Sequence, residues 1–282
     1  MTFRTLTVLG AGTMGHGIAH AAVASGYETR LYDPSQPQLT KAEAAVGSIL
    51  QKAVELGKAS AADADAARSR LRVSTSIADA LAGTDFVIEA APEKIDLKLA
   101  LFAEIDRHAP ASAIIATNTS ALSITEMAGS IGRPARVAGM HFFNPVHKMK
   151  LIEIVRALES SDETLTAIEA VSRQMGKETV LVRESPGFIT TRVNASIGNE
   201  AFYMLMEGVA SARDIDKALK LGLNHPMGPF ELVDLVGLDT RLSILEYLHR
   251  SMGEKYRPCP LLAQYVKAGR LGKKVGRGVY EY

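Results

Sequence analysis

Short apolar runs alternate with longer amphipathic stretches through the first two thirds of the chain. TLTVLG (5–10) is an apolar run closed by Gly10 and predicts a buried strand. The segment from Met14 to Ser25 is small and apolar and predicts a helix lying close against that strand. ETRLYD (28–33) predicts a second strand that ends on an acid. Strand, helix and strand in this order open a doubly wound parallel sheet. The alternation continues. Helical spacing covers 38–56, 61–70, 95–108 and 163–175. Strands are predicted at LRVST (71–75), DFVIEA (85–90), AIIATN (113–118), ARVAGMH (135–141), LIEIVRA (151–157) and ETVLVR (178–183).

The texture changes at Glu184-Ser185-Pro186-Gly187, after which no buried strand is predicted. Helical patterns cover 188–207, 212–221, 230–236 and 238–251, with loops at NHPMGP (224–229) and YRPCP (256–260). The fold class is therefore α/β: a Rossmann-type doubly wound domain over residues 1–184, followed by an all-α domain over 185–282. A chain of 282 residues suits two domains of ~100–200 residues each.

Composition narrows the function. A net charge of +1 gives no global field favouring nucleic acid or an anionic membrane. No run of ~18 apolar residues predicts a membrane span, and the N-terminus runs straight into a strand without a leader pattern. Cys259, the only cysteine, stands between two prolines and reads as a loop residue. A single cysteine is consistent with a reducing compartment. A cytoplasmic protein is expected.

Gly10-Ala11-Gly12-Thr13-Met14-Gly15 fits G-x-G-x-x-G. The pattern alone is weak. Here it follows a strand, opens a helix, and precedes Asp33 at the end of the next strand. That context predicts dinucleotide binding. Gly10 permits the turn, Gly12 lets a pyrophosphate approach the backbone, and Gly15 lets helix and strand pack closely. The N–H groups opening the helix then face the anion. Asp33 can accept both ribose hydroxyls and repels a 2′-phosphate, which favours NAD over NADP. Arg30 comes too early to clamp a phosphate.

Ligands bind at the carboxyl ends of parallel strands. Glu89, Glu93, Asn118, Ser120, His141 and Asn144 all fall there. His141 ends an apolar run, and Glu153 lies inside the next one. An alcohol dehydrogenation needs a base for the hydroxyl proton, and a carboxylate on the other ring nitrogen orients such a base. A buried histidine satisfied by backbone fits the same pattern. His147, beside two lysines, reads as solvated. No ligand spacing suggests a metal, and no G-x-S-x-G elbow suggests a serine nucleophile.

GAGTMGHGIAHAAVASG, FVIEAAPE, NTSALSI, AGMHFFNPVHKMKLIEIV, SPGFI, LGLNHPMGPFELVDLVGLD and GRLGKKVGRGVYEY together resemble the short-chain L-3-hydroxyacyl-CoA dehydrogenase family, in particular its bacterial 3-hydroxybutyryl-CoA members. The resemblance runs from about residue 3 to the final Tyr282. It implies NAD-dependent interconversion of an L-3-hydroxyacyl-CoA and a 3-ketoacyl-CoA. It implies His141 as general base, Glu153 as its orienting partner, Ser120 as a donor to the substrate oxygen, and Asn144 beside the nicotinamide. Glu93, Lys98 and Lys274 fall on family positions that contact NAD. The alternative for Lys98 and Lys274 is a solvated surface lysine. The stretch from Ser48 to Lys58 matches the substrate-side hairpin, where Lys52 and Lys58 could meet CoA phosphates; ordinary exposed helix lysines explain both as well. The all-α domain implies a homodimer and closure over the site, with Met204, Leu205 and Leu232 fitting interface and core alike.

One departure stands out. Thr191 occupies a position where the family often has Asn, and Asn194 or Asn199 is the nearest substitute. Two other readings compete. A free-acid β-hydroxyacid dehydrogenase would use a catalytic lysine on the helical side, against which HFFNP and Glu153 argue. A crystallin-like binding protein could retain the fold without turnover.

Overall fold

The computed structural model describes residues 3–282; Met1 and Thr2, at the head of the expected first domain, lie outside them. The chain forms two compact units, one ending at Glu184 and the other beginning at Ser185.

In the first unit, β1 (Thr5–Leu9), β2 (Glu28–Tyr32), β3 (Leu71–Ser74), β4 (Phe86–Glu89), β5 (Ile114–Thr117), β6 (Val137–Phe142), β7 (Leu151–Arg156) and β8 (Glu178–Arg183) form one sheet. Its order is β3-β2-β1-β4-β5-β6-β7-β8. The helices are α1 (Thr13–Ala24), α2 (Gln36–Glu55), α3 (Ala61–Ser69), α4 (Ile77–Leu81), α5 (Ile95–His108), α6 (Ile124–Gly129) and α7 (Asp162–Gln174). β1, β4, β5 and β6 run parallel, so their carboxyl ends share one edge. The strand order reverses at β1, with β2 on one side and β4 on the other. That is where an open α/β sheet opens a ligand crevice.

β6 and β7 depart from the parallel pattern. The connection between them, residues 143–150, is too short for a crossover, so they pair antiparallel. The central strands are buried along their length, which explains their unbroken apolar runs. β8 is different. It closes the edge of the sheet and exposes Leu181, with only Val182 buried.

The second unit holds α8 (Thr190–Met206), α9 (Ala212–Gly222), α10 (Pro229–Val236), α11 (Leu238–Met252) and α12 (Pro260–Lys267). Its core gathers Phe202, Phe230, Leu238, Leu245, Leu248 and Leu262. Phe202 and Phe230 meet edge to face at 5.2 Å between ring centres. The order of a parallel sheet followed by helices is the one the apolar pattern predicts.

Three helices lie outside that prediction. α4 and α6 have five and six residues, too few to show a helical period. Each is started instead by a serine cap, Ser76 or Ser123, which accepts a backbone N–H three residues on. α12 begins at Pro260, within the stretch read as a loop. Proline at the first helical position is a start signal, since its missing N–H costs nothing there. Cys259 is the residue that caps this helix, and it is wholly buried.

Candidate active site

The turn between β1 and α1 is shaped by what cannot be added to it. Gly10 has φ +102°, and a Cβ there would lie 2.8 Å from the Ala90 carbonyl oxygen. A Cβ on Gly15 would lie 1.7 Å from the Gly10 carbonyl oxygen, so no side chain fits. Gly12 differs: a Cβ there would meet nothing within 4 Å among the described residues. Gly12 also caps α1 without a side-chain hydrogen bond. Among the described residues the opening N–H groups of the helix have no side-chain cap, and they suit an anion. Ala11 is buried, Met14 half-buried and Thr13 exposed.

Asp33 follows β2 and braces this turn. Its Oδ2 accepts the Ala11 N–H at 3.0 Å and its Oδ1 accepts the Ser35 N–H at 3.0 Å. Each carboxylate oxygen keeps further acceptor capacity for a ribose hydroxyl. Gln38, which the sequence pattern did not single out, donates to the Ala11 carbonyl at 3.0 Å. Arg30 is engaged elsewhere, donating to the Ala80 and Ala82 carbonyls. An open, uncapped glycine turn with an acid braced at its side fits the diphosphate and ribose of NAD.

Farther along the same edge, the antiparallel register places His141 directly opposite Glu153. Residues opposite one another share a face of the sheet. His141 Nδ1 lies 2.7 Å from Glu153 Oε2, with His141 5 % exposed and Glu153 fully buried. A carboxylate only accepts, so the ring proton resides on Nδ1 and Nε2 is the basic nitrogen. Phe143 packs on the imidazole at 4.7 Å between ring centres. Asn118, at the end of β5, accepts the Phe142 N–H through Oδ1 at 2.8 Å. It therefore ties the strand end beside His141 to the strand end that leads into Ser120.

The Ser120 segment hangs on Glu93. One carboxylate oxygen accepts the Thr119 hydroxyl at 2.6 Å, the Ser120 N–H at 2.8 Å and the Ala121 N–H at 3.2 Å. Beneath it, Glu89 accepts both from Lys98 Nζ, at 2.7 and 2.8 Å, and from the Thr117 hydroxyl at 2.6 Å. Lys98 also reaches the second oxygen of Glu93 at 3.5 Å. At 1 % exposure it is not a solvated surface lysine. Its place is inside the sheet edge, under the loop. Glu89 and Asn118 are thus drawn in with Glu93, Ser120, His141 and Glu153. Thr117 and Thr119 carried no sequence signal, because a threonine in a buried strand is ordinary.

Other predicted residues are placed more loosely. Asn144 is exposed, next to a cis peptide bond to Pro145. His147 is exposed too, as expected for a solvated residue. It meets His20 of α1 edge to face at 6.2 Å between ring centres. Lys52 pairs with Glu55 at 3.0 Å on the surface of α2. Lys58 is exposed and lies beyond the end of that helix, after Gly57 at φ +65°. Lys274 belongs to the helical unit, where it bonds both oxygens of Asp239 at 2.6 Å. Thr191 is half-buried in α8. Asn199 cannot stand in for an amide there, because it bonds the Arg257 carbonyl and the Cys259 N–H. Burial raises the Cys259 thiol above its ordinary pKa, so it is not a nucleophile at neutral pH. Among the described residues, no group of three His, Cys, Asp or Glu side chains could hold a metal.

Comparison with known proteins agrees with this geometry. Residues 5–185 match the family model "3-hydroxyacyl-CoA dehydrogenase, NAD binding domain", and residues 187–282 match "3-hydroxyacyl-CoA dehydrogenase, C-terminal domain". A probable 3-hydroxybutyryl-CoA dehydrogenase of Bacillus subtilis (strain 168) is 45 % identical over 283 aligned residues, covering 100 % of this chain and 98 % of the relative. The mitochondrial hydroxyacyl-coenzyme A dehydrogenase of Sus scrofa is 39 % identical, covering 98 % of this chain and 90 % of its own. The crystal structure of (S)-3-hydroxybutyryl-CoA dehydrogenase PaaH1 from Ralstonia eutropha superposes with a TM-score of 0.95 at 46 % identity, covering 100 % of this chain and 99 % of that one.

Proposed function

This chain belongs to the 3-hydroxyacyl-CoA dehydrogenase family, and we propose that its own reaction is the NAD-dependent interconversion of an L-3-hydroxyacyl-CoA, of which 3-hydroxybutyryl-CoA is the favoured case, with the 3-ketoacyl-CoA. The observation that carries the reading is the buried His141–Glu153 pair at 2.7 Å.

Bound NAD supplies the hydride acceptor in oxidation and, as NADH, the donor in reduction. The protein's task is the proton. His141 Nε2 takes the proton of the 3-hydroxyl as the hydride leaves the same carbon, giving an imidazolium. Glu153 holds the tautomer that exposes Nε2 to substrate and stabilises the charge that forms. In reduction the same imidazolium returns the proton to the oxygen. Ser120, its backbone fixed by Glu93, donates a hydroxyl hydrogen bond to that oxygen. Asn144 lines the nicotinamide side. Gly10, Ala11, Gly12, Thr13, Met14 and Gly15 hold the diphosphate and Asp33 the ribose. Lys98 serves the cofactor by holding Glu93 in place, and Lys274 keeps its proposed role toward NAD. The exposed Lys58 is a better partner for CoA phosphates than Lys52, whose ammonium already has Glu55.

A homodimer belongs to the same proposal, supported by the large apolar side chains that the helical unit exposes, among them Val193, Leu221, Leu223 and Leu235. A cytoplasmic setting fits too. Among the described residues no helix is long and apolar enough to cross a membrane.

The test is loss of NADH absorbance with acetoacetyl-CoA, free acetoacetate and a long-chain 3-ketoacyl-CoA. Turnover with the CoA esters and none with the free acid is expected. Equal turnover of the free acid would favour the β-hydroxyacid reading. His141→Ala that binds NADH and does not turn over would separate enzyme from binding protein. Normal turnover in that variant would overturn the base assignment.

A further inference from the structure

Glu184 follows β8 and is half-buried. Its backbone N–H donates to the Arg156 carbonyl at 3.0 Å, which fastens it to β7, the strand that carries Glu153. Its side chain reaches across to the start of α6. Oε1 accepts the Ser123 hydroxyl at 2.7 Å and the Ile124 N–H at 2.9 Å. Oε2 accepts the Thr125 N–H at 2.9 Å and the Thr125 hydroxyl. A carboxylate offers about four lone-pair sites, and these donors fill them. No cation pairs with Glu184 among the described residues, so the carboxylate is held by the loop alone.

These donors are the far half of the segment that carries Ser120. The near half hangs on Glu93, which takes the Thr119 hydroxyl and the N–H groups of Ser120 and Ala121. Between them the Leu122 N–H donates to the Thr119 hydroxyl at 3.0 Å. The segment is thus slung between two carboxylates. It contains four hydroxyls, at Thr119, Ser120, Ser123 and Thr125. Three of them are donated to Glu93 or Glu184. That of Ser120 makes no hydrogen bond among the described residues and is the one left for a ligand. The support beneath is close-packed. A Cβ on Gly139 of β6 would lie 2.5 Å from Ile124 Cδ1, and Gly139 stands two residues before His141.

We propose that Glu184 is a positioning residue for the reaction described above. It ties the Ser120 segment to the strand of Glu153, and so sets the Ser120 hydroxyl relative to the His141 base. A donor stabilises a reacting oxygen best when it is aimed before the charge develops, and a displacement of about 1 Å costs about a hundredfold in rate. The inference rests on the role proposed for Ser120 toward the substrate oxygen.

A double-mutant cycle on the full chain tests it, with kcat and KM for acetoacetyl-CoA measured beside circular dichroism and thermal melts. In Glu184→Gln the amide turns its NH2 toward a backbone N–H, of Ile124 or of Thr125, that it cannot accept. We expect kcat to fall about tenfold to a hundredfold, with KM within about threefold of the wild type. Ser120→Ala is expected to lower kcat as well. Added to Ser120→Ala, Glu184→Gln should cost less than about threefold more, because the hydroxyl it positions is gone. Glu184→Asp keeps both oxygens on a shorter arm. Its loss should be smaller and should vanish in the same background, which keeps the test valid if Glu184→Gln fails to fold. Wild-type kcat in Glu184→Gln, with Ser120→Ala impaired, would overturn the inference alone. So would losses that multiply in the double variant, since a general structural role acts without Ser120. Wild-type kcat in Ser120→Ala would overturn the role of Ser120 and the inference with it. A wild type that turns over no CoA ester would overturn the proposed reaction, and with it everything that rests on that reaction.

Discussion

Lys98 and Glu89 form an ion pair inside the sheet edge at 2.7 Å, with side chains 1 % and 0 % exposed. The pair lies under the loop that carries Ser120, because Lys98 also touches Glu93 and Glu93 holds the Ser120 N–H. Removing one partner strands the other charge in the interior. Lys98→Met is therefore expected to cost about 3–5 kcal/mol of stability, read as a lowered urea midpoint. Lys98→Met with Glu89→Gln should recover part of it, since no unpaired charge remains. A single variant as stable as the wild type would show that the pair contributes nothing.

Glu153→Gln tests orientation apart from bulk. The amide keeps the size and can still accept the Nδ1 proton, but it cannot balance an imidazolium. We expect kcat to fall about 10²–10⁴-fold, with the KM for NADH nearly unchanged. Steady-state kinetics over both substrates measures this. A raised KM with kcat unchanged would place Glu153 in binding rather than in the proton step.

What the sequence made legible follows from physics that acts locally. The Gly10–Gly15 turn and Asp33 were readable because a turn, a helix start and a strand end sit next to one another in the chain. His141 and Glu153 were legible as a candidate pair because a polar residue in an apolar run needs a partner; a histidine satisfied by backbone fitted the same pattern, and the register that sets the two opposite one another is seen only in the structure. The Lys98 cluster was not. Lys98 meets Glu89 because α5 begins where it does, and nothing in a lysine on an amphipathic helix says that it turns inward. α12 was missed because Pro260 opens a helix as readily as it ends one. Asn199 looked available from its spacing on α8, and only the packed structure shows that it holds the turn before α12.

Asp33→Ser tests Asp33 by two separate readouts. The native carboxylate braces the glycine turn through Ala11 and Ser35, and the function proposed above also has it exclude a 2′-phosphate by charge. Asp33→Ser should lower kcat/KM for NADH by about tenfold to a hundredfold and raise it for NADPH. It should also lower stability by about 1–3 kcal/mol, because the part-buried Ala11 N–H loses its carboxylate acceptor, whereas water can serve the exposed Ser35 N–H. The ratio of the two kcat/KM values is the readout. An unchanged ratio would remove Asp33 from cofactor discrimination.

His20 gives the fold a defined weakness to acid. Its imidazole is pushed down to about 4, first by burial, then by His147, Lys177 and His16. Its buried Nδ1 has no hydrogen-bond partner among the described residues. Unfolded, the same ring takes a proton near 6.5. Above that pH both states are neutral and the full stability is present. Between 6.5 and 4 the unfolded chain gains a proton that the folded chain refuses, so stability falls as pH falls. At pH 5 the loss is about 2 kcal/mol. His20→Gln removes the linkage without breaking a hydrogen bond to Nδ1. Relative to its difference from the wild type at pH 7.5, it should gain about 2 kcal/mol on the wild type at pH 5, measured as urea midpoints at the two pH values. The carboxylates titrate alike in both proteins, so the difference isolates His20. A gap between variant and wild type that stays constant across the two pH values would mean that His20 is free to protonate in the folded protein.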